Sequence, residues 1–286
     1  MAKKPRIAVV GAGNLGSALA RSLRHAGYKI SEIISRDRRE SRARANALAD
    51  IVGAKAATLR SAAFPVEVVW ICVSDREIAS CARALARRTK WEGKIVFHSS
   101  GALTSDELRG LRGRGARVAS LHPLMTFVPG ISPSLKGVPF AVEGDAAAVK
   151  GGRRIAADLG GTAFSISKKN KAAYHAWGSF ASPLLLSALV TAESVAQSAG
   201  VGRSSARKKM LPIILQTLAN YCKRGPEGAF SGPIIRGDVS TVQSHLRTLK
   251  RNPEAKKVYI ALARSALRFL PAKNRVALKK AIEELE

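Results

Sequence analysis

The stretch from Arg6 to Gly16, RIAVVGAGNLG, constrains the fold more than any other part of the chain. Residues 7–10 form an apolar run the length of one buried strand. Gly11-Ala12-Gly13-Asn14-Leu15-Gly16 follows, and a helix-forming run, residues 17–25, begins at once. Strand, glycine turn and helix in that order give a G-x-G-x-x-G spacing its physical meaning. Gly11 permits the tight turn out of the strand. Gly13 leaves the backbone bare, so a pyrophosphate can approach it, and Gly16 lets the helix pack close to the sheet. The free N–H groups at the helix start, around Asn14 and Leu15, then face the phosphates with the positive end of the helix dipole. A dinucleotide site in a doubly wound α/β domain is the reading this stretch implies.

A second strand is expected over residues 29–35, and its end is where such a domain reads the adenosine ribose. A carboxylate there binds the 2′-hydroxyl of NAD, whereas an arginine accommodates the 2′-phosphate of NADP. The chain offers Ser35-Arg36-Asp37-Arg38-Arg39, with Arg36 twenty residues after Gly16. Guanidinium groups suit phosphate by geometry as well as charge. Ser35 and Arg36, with Arg39 second, therefore point to NADP, and Asp37 keeps NAD as the alternative.

Residues 65–73 read as a β-branched strand running into Ser74-Asp75, which can cap the next helix. The carboxyl ends of parallel strands are where ligands bind, so Val73 and Ser74 are candidate backbone contacts to the cofactor. Residues 94–97 deliver His98-Ser99-Ser100-Gly101 to the same edge. Ser99 and Ser100 can orient a substrate carbonyl or carboxylate there, or can equally make a turn and helix cap. His98 can still lie in the strand as a core residue. His122 follows the strand 117–121, placed to donate a proton or bind an anionic group, or to serve the structure alone. Strands 138–143 and 162–167 flank a helix over 146–159, and the α/β half ends near Ser167.

From residue 168 the pattern is all helical. One long helix over 170–199 is kinked near Pro183, and a second spans 204–222. Residues 225–238 are too rich in glycine and proline for a helix. Asp238 caps a helix over 239–249, and two more, 253–269 and 271–285, follow. The expected organisation is a Rossmann-type domain over 1–167 and an all-α substrate and dimerisation domain over 168–286. A homodimer would bury the apolar faces of the long helices.

The longest apolar stretch in the second half, residues 183–190, is too short to span a bilayer, and the glycine turn interrupts the only signal-like run. These features fit a soluble, cytoplasmic protein without membrane attachment. Cys72, Cys81 and Cys222 form no C-x-x-C pair and show no metal-ligand spacing with the five histidines. The net charge of +28 raises nucleic acid as a partner. The basic residues are scattered, however, and no aromatics interleave with them to make a stacking platform. A surface that attracts small anionic substrates is the better reading.

GAGNLGSALA, HSSGAL, LHPLMTF, YHAWGSFAS and above all SGPIIRGDVSTVQSHL together resemble one family of oxidoreductases, and the match runs nearly end to end. That family joins a Rossmann-like domain to a helical domain of unknown function. In layout it is similar to pyrroline-5-carboxylate reductase, ketopantoate reductase and the 6-phosphogluconate dehydrogenase-type enzymes. The resemblance implies an NADP(H)-dependent reductase of a small anionic carbonyl or imine substrate, with a helical C-terminal domain that walls the active site and dimerises. His122, His175, Arg236 and Asp238 fall on family motif positions. His122 and His175 would polarise or protonate the substrate, and Arg236 would anchor an anion or brace its own turn. The helix motif often ends Ala-Ser-Asn, and here it reads Ala181-Ser182-Pro183. That departure leaves Ser182, Ser179 or His175 to contact substrate. It also keeps a non-catalytic NADP-binding sensor or interaction protein open, beside ketopantoate-reductase-like and deazaflavin-linked enzymes.

Overall fold

A computed structural model describes residues 3–88 and 90–286. In chain order the first elements are β1 (Ile7–Val10), α1 (Asn14–His25), β2 (Ile30–Ser35), α2 (Arg39–Val52), β3 (Lys55–Thr58) and β4 (Val68–Ile71). They continue with α3 (Asp75–Ala86), β5 (Ile95–His98), a single 3-10 turn leading into the short α4 (Arg109–Arg112), β6 (Arg117–Pro123), β7 (Pro139–Gly144), α5 (Ala146–Asp158) and β8 (Thr162–Ser165). The strands make one sheet in the order β3-β2-β1-β4-β5-β6-β7-β8. All pairs are parallel except β6–β7, which is antiparallel. The order reverses between β1 and β4, which opens a crevice at their carboxyl ends.

Both faces of the sheet are covered, so the central strands β1 and β4 are apolar and buried along their whole length rather than alternating. Ile7 and Val9 of β1 face Leu19, Leu23 and Leu48 of α1 and α2. Ala8 and Val10 face Ile78 and Leu85 of α3, with Leu111 of α4. Residues on both sides are wholly buried, Trp70 and Phe97 among them.

The first compact unit runs to Ser179, not to Ser167, and the second spans Phe180–Glu286. The difference lies in α6 (Lys171–Ser179), whose Lys171 and Tyr174 are buried and bonded to residues of the α/β sheet, so the helix belongs to that unit.

The second unit is helical: α7 (Leu185–Ser198), α8 (Arg203–Ala229), α9 (Pro233–Arg236), α10 (Val239–Thr248), α11 (Pro253–Phe269) and α12 (Arg275–Glu284). Between α6 and α7, residues Phe180–Leu184 form a π-helical turn containing Pro183, the expected kink. The segment 225–238 is more helical than its composition suggests. Gly225, at φ 69°, breaks α8, yet the helix resumes to Ala229, and Pro233 starts α9 from its first turn, where proline is tolerated. Asp238 caps α10 by accepting from the Thr241 N–H at 3.0 Å. Val242, Leu246, Ile260, Leu278 and Ile282 make the unit's core.

The helical run Lys168–Ser198 contains an 18-residue window of mean hydropathy 1.4, which by length and composition alone is enough to cross a membrane.

Candidate functional site

Two clusters form at the carboxyl edge of the sheet. The first is a cavity of about 400 Å³ over the β1–α1 turn. Gly11 takes φ 107°, and a side chain there would press on the Cys72 carbonyl at 2.8 Å. A Cβ at Gly16 would lie 1.9 Å from the Gly11 carbonyl oxygen. Gly13 has nothing within 4 Å of that position, so its backbone is open to a ligand. Helix α1 starts at Asn14, three residues earlier than expected. It has no side-chain cap and no acid in its first turn, which leaves its N–H groups free for an anion. Leu15 lies half-buried in that turn. The Asn14 amide donates to the Phe127 carbonyl at 3.3 Å and so holds the loop after β6 beside the turn.

Ser35, Arg36, Val73 and Ser74 line the same cavity. Arg39 does not; it opens α2, exposed, and Arg44 one turn further on lines the cavity together with Arg76 of α3. Asp37 is also outside the lining and pairs with Arg42 at 3.4 Å. The acid that does line it is Glu77, which ion-pairs with Arg36. A bare glycine, an uncapped helix N-terminus and three arginines fit a dinucleotide carrying an additional phosphate.

The second cluster surrounds Gly101. Ser99 and Ser100 were candidates to orient a substrate, but their hydroxyls are committed to the fold. Ser99 Oγ accepts from the buried Trp70 indole at 2.7 Å. Ser100 Oγ donates to Asp75 at 2.7 Å and accepts from the Ala102 and Leu103 N–H groups at 3.2 and 2.9 Å. His98 is a core residue with a fixed tautomer. Its Nδ1 accepts from the Ser100 N–H at 3.1 Å, so Nε2 carries the proton and donates to the Thr104 carbonyl at 3.0 Å. Burial pushes it down to about 4.

His122 and His175 do come together. A Cβ on Gly101 would sit 3.0 Å from His122 Nε2 and 2.9 Å from His175 Cδ2. His122 Nδ1 lies 2.6 Å from the Tyr174 hydroxyl, with the rings edge to face. Burial first, then the charge of Lys171, pushes His122 down to about 3. Burial pushes Tyr174 up to about 12. The pair is therefore neutral at pH 7 and, in either tautomer, keeps one N–H or O–H to give. Beneath it the Lys171 ammonium, 1% exposed, donates to the Ser100 carbonyl and the Ser120 hydroxyl, both at 2.7 Å. Desolvation lowers it to about 8, against the pull of Glu143 and Asp75.

Lys171 and Tyr174 escaped the sequence reading, although Lys171-Ala172-Ala173-Tyr174-His175 carried a signal. Positions i, i+3 and i+4 share one helix face. Arg44, Arg76 and Glu77 were missed because they lie on helices that flank the crevice, not in its strand ends. Ser182 and Arg236 belong to the helical unit: Ser182 is exposed in the π-helical turn, and Arg236 is exposed at the end of α9. Among the described residues, no group of three or more His, Cys, Asp or Glu is placed to hold a metal ion.

Residues 2–123 match the Rossmann-like domain family and residues 138–266 the domain of unknown function DUF2520, so the chain joins a Rossmann-like domain to a DUF2520 domain. No curated protein matches the sequence. Among solved structures, a protein from Bacteroides fragilis classed as an NADP oxidoreductase is 23% identical, with a TM-score of 0.75 over 92% of this chain and 97% of that one. A reductive aminase from Aspergillus terreus, in complex with NADPH and ethyl-5-oxohexanoate, is 18% identical, with a TM-score of 0.65 over 99% and 100% of the two chains. Plasmodium falciparum pyrroline carboxylate reductase with NADP bound is 14% identical, with a TM-score of 0.61 over 98% and 97%. At these identities the likeness establishes the fold.

Proposed function

We propose that this Rossmann-like–DUF2520 chain is a cytoplasmic NADP(H)-dependent reductase of a small anionic carbonyl or imine substrate. One observation carries the reading. The sheet edge that holds the arginine-lined, glycine-floored cavity also gathers a buried lysine and tyrosine and a half-buried histidine, with the histidine and tyrosine hydrogen-bonded to each other beside Gly101. The neighbours' cofactors, NADPH and NADP, support the choice of nucleotide.

NADPH would be held by the backbone at Gly11 and Gly13, the start of α1, and Arg36, Arg44 and Arg76, and when bound it supplies a hydride to the substrate carbon. The protein's task is the proton. The His122–Tyr174 pair gives it to the substrate oxygen or nitrogen, since both partners are neutral and hydrogen-bonded. Burial, reinforced by the Lys171 charge, keeps His122 unprotonated, and Lys171 ties the loop after β5 to β6 through Ser100 and Ser120. His175, exposed beside Gly101, is left to meet the substrate's polar group. The +28 surface draws anions toward the edge.

Calorimetric titration with NADPH and NADH, followed by a turnover screen of keto acids and cyclic imines, tests this. Tight NADPH binding with consumption dependent on Tyr174 is expected. Binding without turnover of any carbonyl or imine would leave a non-catalytic NADP-binding protein, and no binding would remove the oxidoreductase reading.

A further inference from the structure

The cavity at the end of β2 contains a carboxylate where the fit to a phosphate leads one to expect only positive charge. Glu77, in the first turn of α3, is held at both oxygens. Oε1 pairs with the Arg36 guanidinium, and Oε2 accepts from the Ser74 hydroxyl at 2.6 Å. Its backbone N–H donates to the Ser74 carbonyl at 2.8 Å, which fixes the turn that presents it. The Ser74 hydrogen bond, with Arg36 and Arg76 nearby, holds its carboxyl below the usual range, so it is charged throughout the neutral region.

We infer that Glu77 is the residue that sets the choice between a 2′-phosphorylated and a 2′-hydroxylated nucleotide, by competing with the ligand for Arg36. The inference rests on the dinucleotide reading of this cavity. The competition follows from charge and geometry. A 2′-phosphate that takes the Arg36 fork must displace the Glu77 carboxylate or sit against it, one anion beside another. A 2′-hydroxyl has no such conflict, because it donates to the same carboxylate. Arg44 and Arg76 line the cavity too, so the phosphate is favoured on balance, three guanidinium groups against one acid. The wild-type preference is thus the remainder of two opposed terms, and removing the acid widens it. Asp37, the carboxylate suggested by position in the sequence, has no part in this, since it pairs with Arg42 away from the cavity.

The test is calorimetry with adenosine 2′,5′-bisphosphate and with 5′-AMP on the full chain, as wild type, Glu77→Gln, Glu77→Ala and Arg36→Ala. Melting curves confirm that each variant is folded. The readout is the ratio of the two dissociation constants. Both Glu77 variants are expected to move it toward the 2′-phosphorylated probe by roughly 2–5-fold, the size of a half-exposed charge contact. Arg36→Ala is expected to move it the opposite way. A ratio unchanged in both Glu77 variants, with the probes still binding, overturns the role of Glu77 alone. If neither probe binds wild type, the dinucleotide reading falls and this inference with it.

Discussion

At Lys171 a positive charge is buried without an ion-pair partner among the described residues; two neutral oxygens, the Ser100 carbonyl and the Ser120 hydroxyl, receive it. Burial disfavours its charged form and brings it to about 8. The consequence for stability has a definite sign. Between about pH 8 and the ordinary lysine value of 10.5 the unfolded chain binds this proton and the folded chain does not, so stability from this group rises with pH across that window. Lys171→Met should fold, because the Ser100 carbonyl keeps the Ser120 hydroxyl at 3.1 Å. Urea denaturation at pH 7.5 and at pH 10 should show the wild type gaining stability relative to the variant over that interval. A constant difference between the two proteins would mean that the lysine is hydrated and titrates normally. Under the proposed function Tyr174→Phe, which removes the hydroxyl bonded to His122, lowers turnover by about a hundredfold or more while NADPH binding persists.

At the scale of the element, the β1–α1 turn makes the sharpest distinction between architecture and binding. Gly13 and Gly16 belong to the same motif, yet the structure gives them different tasks. A methyl group at Gly16 meets the Gly11 carbonyl at 1.9 Å, a backbone atom that cannot yield. A methyl group at Gly13 meets nothing, and its φ of −78° suits any residue. Gly16→Ala should therefore destabilise the domain by about 2 kcal/mol or more, as overpacking against a fixed neighbour does. Gly13→Ala should melt like wild type and lose nucleotide affinity. Equal melting temperatures for the two variants would refute this division. The motif and most strands were legible in the sequence because each is written in consecutive residues: the apolar run, the glycine, the cap. The helix start came out late at α1, since Gly13 supplies no side-chain cap to mark the boundary. The candidate site around Gly101 was only half legible. His122 and His175 stand out by type, but Lys171 meets Ser100 and Ser120 across 71 and 51 positions, and Tyr174 meets His122 across 52. Glu77 reaches Arg36 across 41 positions, from a helix that strand-end reasoning leaves aside. Contacts of that range are set by sheet order, which local pattern does not encode.

For the molecule as a whole, α7 and α8 pose a question of partners. Across these two long helices only Glu193 and Ala206 are buried in the single chain. Leu211, Leu215 and Leu218 follow one another at spacings of four and three and are all exposed, as are Leu186, Val190 and Ile213, the last at 68%. That spacing draws one apolar stripe along α8, the pattern of a helix meant to pack against another. A monomer seldom leaves a contiguous apolar patch larger than about 600 Å² in water. A second copy of the chain presents the same stripe, and a two-fold arrangement makes such a surface its own complement. The pair Glu193–Arg207, at 2.7 Å, ties α7 to α8 within one chain and holds the stripe ready. The protein should therefore sediment as a dimer at micromolar concentration. Leu215→Asp combined with Leu218→Asp should yield a folded monomer, because neither side chain belongs to the chain's own core. The apolar window within Lys168–Ser198 offers the competing occupant, a lipid surface, and flotation with neutral and anionic vesicles separates the two. A wild-type monomer that floats with vesicles would assign the stripe to lipid, whereas a dimer that stays with the soluble fraction assigns it to the second copy.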